Sequence, residues 1–349
     1  MYQEWVELYK ELEKEYNSKI LVYITSDRNN MEAQIASDVI DYFISQLDNI
    51  GVCEKISLYL YTRGGDMAVA WNIVNLLRMY CDELQVIIPH KAHGGGTIIS
   101  LGANEIIMTK QATLSPIDPS INTPLNQLIP NRMGNTFPVS VEAVKGYLGF
   151  AKEELQIRDE AALANILIKL SDYVHPLVLG QVYRSKAQIH MLAEKLLQNQ
   201  VTDPEAMKKI IAFLCSESGS HDYTINRREA ENDLGLKVSK PTEFQYHIIK
   251  EIYDNISEEL QFNKAFNLVE INGAYAVRRC LLENLAGGAD YFITEGECTH
   301  GEDDKGQHMV RNRITFEGWR HEENGMSSWG IHVFGNQDGC YERDGEFQI

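Results

Sequence analysis

The strongest constraint on this chain is a pair of glycine-rich turns, each set between a strand pattern and a helix pattern. Ile56–Tyr61 (ISLYLY) reads as a strand and runs into Thr62-Arg63-Gly64-Gly65-Asp66. Apolar residues at Met67, Ala70, Trp71, Val74 and Leu77 then mark a helix. Further on, Gln85–Pro89 (QVIIP) reads as another strand and leads to His93-Gly94-Gly95-Gly96-Thr97, followed by an apolar helix to about Ala103. Ile20–Ile24 and Glu105–Met108 add two strands, and Glu32–Leu47 has helical spacing at Ile35, Val39, Ile40, Phe43 and Leu47. Strands alternating with helices predict an α/β fold with a mainly parallel sheet and flanking helices.

A strand ending in two glycines can present backbone N–H groups with no side chain in the way. Such a turn can be a tight bend needing positive φ, a phosphate cradle at a helix N-terminus, or half of an oxyanion hole. The phosphate use lacks its signatures, since neither G-x-x-x-x-G-K-[ST] nor G-x-G-x-x-G occurs. Two turns of this kind can converge on one point above the sheet. Acyl transfer needs that arrangement: a nucleophile and two N–H groups facing one carbonyl oxygen.

Charge narrows the partners. The 349 residues include 32 Lys+Arg and 50 Asp+Glu, a net charge of −18. That acidity argues against nucleic acid and against docking on anionic lipid, both of which call for a basic face. Cys53, Cys81, Cys215, Cys280, Cys298 and Cys340 contain no C-x-x-C pair. Without a secretory leader pattern, the expectation is reduced thiols in a cytoplasmic protein. No stretch approaches the roughly 18 apolar residues of a membrane span, so membrane association is not expected.

The rest of the chain is read more coarsely. Trp5, Leu8, Tyr9, Leu12 and Tyr16 form the apolar face of an N-terminal helix. Residues 122–138 are rich in Asn, Pro and Gly and predict a long loop or flap. Val141–Leu155, Glu160–Leu170 and Pro176–Leu197 have helical character, His221–Val238 is a connector, and Phe266–Ile271, Tyr291–Thr294 and Trp329–Phe334 have strand character. These textures divide the chain into an N-terminal helix (1–19), a core (20–250) and a small C-terminal α+β extension (251–349).

The segment Leu58–Thr123 resembles the core of the ClpP/crotonase superfamily. Its order of features is a strand ending in Gly-Gly, a helix, a strand ending in Pro, a turn written A-x-S-[AG]-G-T in active members, an apolar helix, then L-[GS]-P-I-D-P. Within that superfamily the chain is most similar to the serine dehydrogenase proteinase family, relatives of signal peptide peptidase A and of NfeD-type serine proteases. His221–Val238 (HDYTINRREAENDLGLKV) resembles a later segment of the same family. The resemblance covers roughly residues 20–280. It implies a ClpP/crotonase-like fold of repeated β-β-α units, a peptide or protein substrate, no cofactor, and a homo-oligomer. The segments Trp5–Tyr16 and Pro176–Leu197 are the surfaces expected to bury against a neighbour.

Carried over residue by residue, the resemblance places the serine nucleophile at Gly94, within Ala92-His93-Gly94-Gly95-Gly96-Thr97. Glycine cannot be acylated. The chain is therefore either a natural pseudoenzyme or an active enzyme with its nucleophile replaced, and the intact surrounding motif favours the second. Gly65 and Gly95 resemble the oxyanion donors. Asp118 stands near the position where ClpP-type members carry a base histidine. Lys145 falls where NfeD-type members carry a base lysine, a role that needs burial to lower its pKa; otherwise it is a solvated helix lysine. His93 is an alternative base or a packing residue. His221 and Asp222 read as capping or turn residues, and Ser100 as facing the core. Cys298, His300, His308, His321, His332 and Cys340 match no zinc signature. Three classes remain: a serine peptidase with Gly at its nucleophile position, a non-catalytic peptide-binding module, and, with least support, an acyl-CoA enzyme, for which no basic CoA-phosphate cluster stands out.

Overall fold

The computed structural model describes residues 2–117, 120–129, 136–217, 223–302, 308–322 and 344–347. The chain divides into two compact units, Met1–Thr113 with Lys237–Ile349, and Leu114–Leu236. Sequence texture suggested boundaries at 19/20 and 250/251; compactness divides the chain elsewhere.

The first unit is built on a twisted sheet that has nine strands among the described residues, here numbered β1–β9. They are β1 (Lys19–Thr25), β2 (Cys53–Tyr61), β3 (Cys81–Ile88), β4 (Glu105–Met108), β5 (Val238–Ser239), β6 (Gly273–Asn284), β7 (Gly288–Glu302), β8 (His308–Glu322) and β9 (Asp344–Phe347). Their order across the sheet is β5-β4-β3-β2-β1-β6-β7-β8-β9. The half from β5 to β1 is parallel. The half from β1 to β9 is antiparallel. The C-terminal strands thus continue the main sheet through β1.

Helices cover both faces, which is why β1 and the second half of β2 are apolar on both sides. On one face, Val22, Ile24 and Tyr59 pack with Trp5, Tyr9 and Leu12 of α1 (Tyr2–Tyr16) and with Ile249, Ile252 and Ile256 of α9 (Glu243–Glu259). A capping box between Thr242 and Gln245 starts α9. On the other face, the Tyr23 ring meets Phe43 of α2 (Ile40–Ile50) edge-on, with centroids 5.1 Å apart. Trp5, Tyr9 and Leu12 are at most 2% exposed. The expected use of this helix as a surface for a neighbouring subunit is therefore corrected: its apolar face lies in its own core.

Two local expectations change. The helix expected over Glu32–Leu47 begins only at Ser37, because Ile35 spends its backbone on the glycine turn, its N–H donating to Gly64 O at 2.8 Å. The strand expected at Phe266–Ile271 is a short turn, Leu268–Glu270, capped by the Asn267 side chain accepting from Val269 N at 3.1 Å. The expected Tyr291–Thr294 strand lies inside β7, and Trp329–Phe334 lies outside the described residues.

The second unit is mainly helical. It holds α5 (Val141–Gly149), α6 (Glu160–Ser171), α7 (Pro176–Leu197) and α8 (Pro204–Ala212). Pro176 opens α7 at a position where its missing N–H costs nothing, and Val178, Val182, Ile189, Leu192 and Leu196 form its buried face. That face, too, is committed to its own unit. Within the expected flap, Ser120–Ile121 pairs antiparallel with Val139–Ser140, and the Asn126 amide bonds Ile121 O and Phe137 O at 2.7 Å each.

Candidate functional site

Both glycine turns lie in the first unit and are joined through their backbones. Thr62 N donates to Lys91 O at 3.1 Å, and His93 N donates to Thr62 O at 3.0 Å. The first turn runs from β2 into α3 (Met67–Tyr80), whose N-terminus is capped by Asp66 accepting from Ala68 N at 2.7 Å and Val69 N at 3.1 Å. The second runs into α4 (Gly95–Leu101), all of whose residues are buried. Ser100 faces the core as expected, its hydroxyl donating to Gly96 O at 2.8 Å.

Ile35 clamps the first turn from the side, since Asp66 N donates to Ile35 O at 2.9 Å. A Cβ on Gly65 would stand 2.3 Å from Ile35 O, and Gly65 has φ of 141°, so only glycine fits there. Gly94 differs. Its φ of 51° is a left-handed, strained setting, yet a Cβ there would meet only ordinary contacts, the closest being Gly64 Cα at 3.5 Å and Met67 Cε at 3.6 Å. Strain of this kind is what a sharp strand-to-helix nucleophile turn imposes on its central residue. Packing leaves room for a side chain at 94.

The Gly65 and Gly95 nitrogens are neighbours. A Cβ on Gly95 would lie 3.6 Å from Gly65 N. By standard covalent geometry the two nitrogens are then no more than about 6 Å apart. Among the described residues neither N–H has a hydrogen-bond acceptor. Two adjacent N–H groups in that condition suit an anionic oxygen.

The charged surroundings were not legible from the motif. Asp27 is the hub: it ion-pairs with Lys91, lies 3.3 Å from Arg63 Nε and accepts from Tyr61 OH at 2.7 Å. Arg63 also reaches Glu32 at 3.6 Å. Burial, then the hydrogen bond to Asp27, pushes the Tyr61 phenol well up. The only available hint of this hub was position: Arg63 and Lys91 flank the two glycine clusters.

His93 shares a 2.9 Å hydrogen bond between its Nε2 and Thr113 Oγ1. Burial, then the Lys91 charge, pulls its pKa down to about 4, so it is neutral at neutral pH. Lys145 belongs to the second unit, on α5; its side chain is 44% exposed and lies 3.5 Å from Glu142. Asp118, His221 and Asp222 lie outside the described residues. Of the C-terminal histidines and cysteines, His300 bonds Ile271 O at 2.6 Å, His321 bonds Asp290 at 2.8 Å and Cys298 Sγ lies 3.3 Å from Leu268 O. His332, Cys340 and the His308 side chain lie outside the described residues. Among the described residues no group of His, Cys, Asp and Glu is placed to hold a metal ion.

Residues 49–131, which contain both turns, match the family described as ClpP-like SDH-type serine proteinase. Two uncharacterized proteins of Methanocaldococcus jannaschii are similar, one 28% identical over 57% of this chain and 59% of its own length. The other is 27% identical over 57% of this chain and 56% of its own. The chain thus matches little more than half the length of these relatives. Among solved structures, the 1510-N membrane-bound stomatin-specific protease aligns at 17% identity over 70% of this chain and 86% of that one, with a TM-score of 0.34. The ClpP protease catalytic domain of Plasmodium falciparum aligns at 15% identity over 67% and 89%, also at 0.34. Likeness at that score carries no weight for function. The α/β architecture with its parallel half-sheet is that of a ClpP-like fold. Over residues 49–131, this chain is thus similar to the ClpP-like SDH-type serine proteinases.

Proposed function

We propose that this chain has the construction of a serine peptidase acting on peptides or proteins, with its nucleophile position occupied by Gly94 so that it does not acylate as it stands. The observation that supports this best is the pair of N–H groups at Gly65 and Gly95, without an acceptor among the described residues, beside a residue whose absent side chain has room. In a form with a hydroxyl at 94, that oxygen would attack the scissile carbonyl, a base would take its proton, and the carbonyl oxygen would become an oxyanion between the two N–H groups. Lys145 is the candidate base, with His93 the alternative. Its exposure and its ion pair with Glu142 count against Lys145. The hydrogen bond of His93 to Thr113 counts against His93.

The test is labelling by a serine-directed fluorophosphonate. The chain as written stays unlabelled, and Gly94→Ser gains labelling. Adding Lys145→Ala to Gly94→Ser abolishes it if Lys145 is the base; adding His93→Ala instead tests the alternative. Removing a nucleophile of this kind costs on the order of 10⁶ in turnover, so the gain is easily read. A folded Gly94→Ser protein that remains unlabelled overturns the peptidase reading. It would favour the second reading, a non-catalytic peptide-binding scaffold, which the glycine itself supports.

A further inference from the structure

Cys53 and Cys81 belong to no shared motif, but the sheet sets them side by side. They are register partners at the start of the parallel pair β2–β3. Neighbouring strands lie about 4.7–4.9 Å apart, inside the roughly 4.4–6.8 Å between the Cα atoms of a disulfide. Register partners also point to the same face of a sheet. Burial pushes the Cys81 thiol up to about 11, and the neighbouring Cys53 thiol adds to that push. Both are free thiols. Each makes only a weak contact to a main-chain carbonyl, Cys53 Sγ to Lys55 O at 3.6 Å and Cys81 Sγ to Leu77 O at 3.4 Å. Among the described residues no other two cysteines are register partners. Cys280 stands opposite Thr25 and Phe292, and Cys298 opposite Gly273 and Asn312.

Access differs between the two. Cys81 is buried and Cys53 only half-buried. Before Cys53 the chain is open: Val52 is 82% exposed, and a Cβ on Gly51 would have nothing within 4 Å. A small oxidant can therefore reach Cys53. The same openness lets Cys53 shift slightly, bringing the Cβ atoms to the roughly 3.5–4.5 Å of a disulfide. We infer that Cys53 and Cys81 are a redox pair, which a small disulfide such as oxidised glutathione closes into a cross-strand bond. The Cys53 thiolate attacks one glutathione sulfur and releases the other half as a glutathione thiol. The Cys81 thiolate then attacks Cys53 Sγ and releases the second glutathione. Two protein thiols are oxidised, one glutathione disulfide is reduced, and the two thiol protons pass to the departing glutathiones. In a reducing compartment the pair stays open. Burial pushes the Cys53 thiol up as well, so exchange is slow at neutral pH, and the pair is a staple rather than a rapid sensor. The closed bond rings residues 54–80, which carry the Gly64–Gly65 turn and α3. It restricts the unfolded chain and so holds this β-α-β unit together.

The pair lies at the start of β2, the glycine turn beyond its end, and the staple stands independently of the peptidase reading. The folded chain is left overnight with oxidised glutathione, blocked, and digested without reduction. Cys53 and Cys81 should then appear in one linked pair of peptides, two hydrogens lighter than the separate thiol peptides. Circular dichroism should show the oxidised chain melting about 5 °C higher, and dithiothreitol should reverse both changes. Cys81→Ser should stop at glutathione carried on Cys53, and Cys53→Ser should show neither product nor shift. Should a serine variant fail to fold, the peptide map of the parent chain decides by itself. Two free thiols after this exposure overturn the inference. So does glutathione left on Cys53 of the parent, linkage of either residue to another cysteine, or a Cys53–Cys81 bond that forms only in urea. An unchanged melting temperature in the fully linked chain overturns the staple.

Discussion

Replacing Glu283 by Gln should remove a built-in pH dependence of stability. Glu283 lies on β6 with no exposed surface, and its Oε1 accepts from Trp5 Nε1 at 3.1 Å and from the Tyr9 hydroxyl, both on α1. Among the described residues its other oxygen has no hydrogen-bond partner. Glu259 on α9, Tyr291 on β7 and Glu322 on β8 also act on this pocket, and Arg278 spans Glu259 and Glu322 at 2.6 and 2.7 Å. Burial, against the hydrogen bonds from Tyr9 and Trp5, pushes the Glu283 carboxyl from its ordinary 4.5 to about 8. The folded chain therefore keeps a proton that the unfolded chain releases near pH 4.5. Stability from this group is full below that pH and falls as pH rises to about 8, where the folded form ionises as well. At about 1.4 kcal/mol per pH unit, the loss across this window is at most on the order of 5 kcal/mol. Urea unfolding followed by circular dichroism at pH 5 and pH 8 measures it. Glu283→Gln should gain several kcal/mol on the parent between the two pH values, because the glutamine has no proton to lose. A difference between variant and parent that stays within about 0.5 kcal/mol across that range would refute the assignment.

Gly65→Ala should be among the most damaging single changes in the first unit, because its Cβ meets Ile35 backbone at 2.3 Å in a left-handed conformation. A loss above about 2 kcal/mol is expected in the same urea assay, and a loss below 0.5 would show that the turn can relax. Asp66→Ala should cost about 1 kcal/mol through the α3 cap alone. Thermal melting would show this as a shift of a few degrees with the spectrum unchanged.

Much of the parallel half of the sheet was legible because strand and helix signals there are local. Ile56–Tyr61 and Glu105–Met108 need only their own apolar runs, and Asp66 announces the start of α3. The extended stretch before α2 was not legible. Its spacing at Ile35 and Val39 is helical, but Ile35 is held by hydrogen bonds to the distant Gly64–Asp66 turn, which no local pattern encodes. The same reason hid Asp27. It is an ordinary loop acid in sequence and becomes the partner of Lys91, Arg63 and Tyr61 only once three strand ends are brought side by side. The glycines of the two turns could be recognised individually. That Gly94 differs from Gly65 in having room for a Cβ is a property of packing, invisible to composition.

The position of β1 sets a clock on synthesis. On one side it pairs with β2, placing Ile20 opposite Ser57, and that partner follows within a few dozen residues. On the other it pairs Leu21 with Asn284 and Thr25 with Cys280. At ribosomal speeds of 5–20 residues per second, the second partner arrives roughly 10–50 s after the first strand has emerged. During that time one full edge of β1 has none of the backbone partners it will have in the finished sheet. A nascent chain with such an edge is a template for strand addition from any neighbour. Strands β1 to β4, with their short-range crossovers, can assemble while the ribosome is still translating; the joint between the two halves of the sheet can be made only once β6 has emerged.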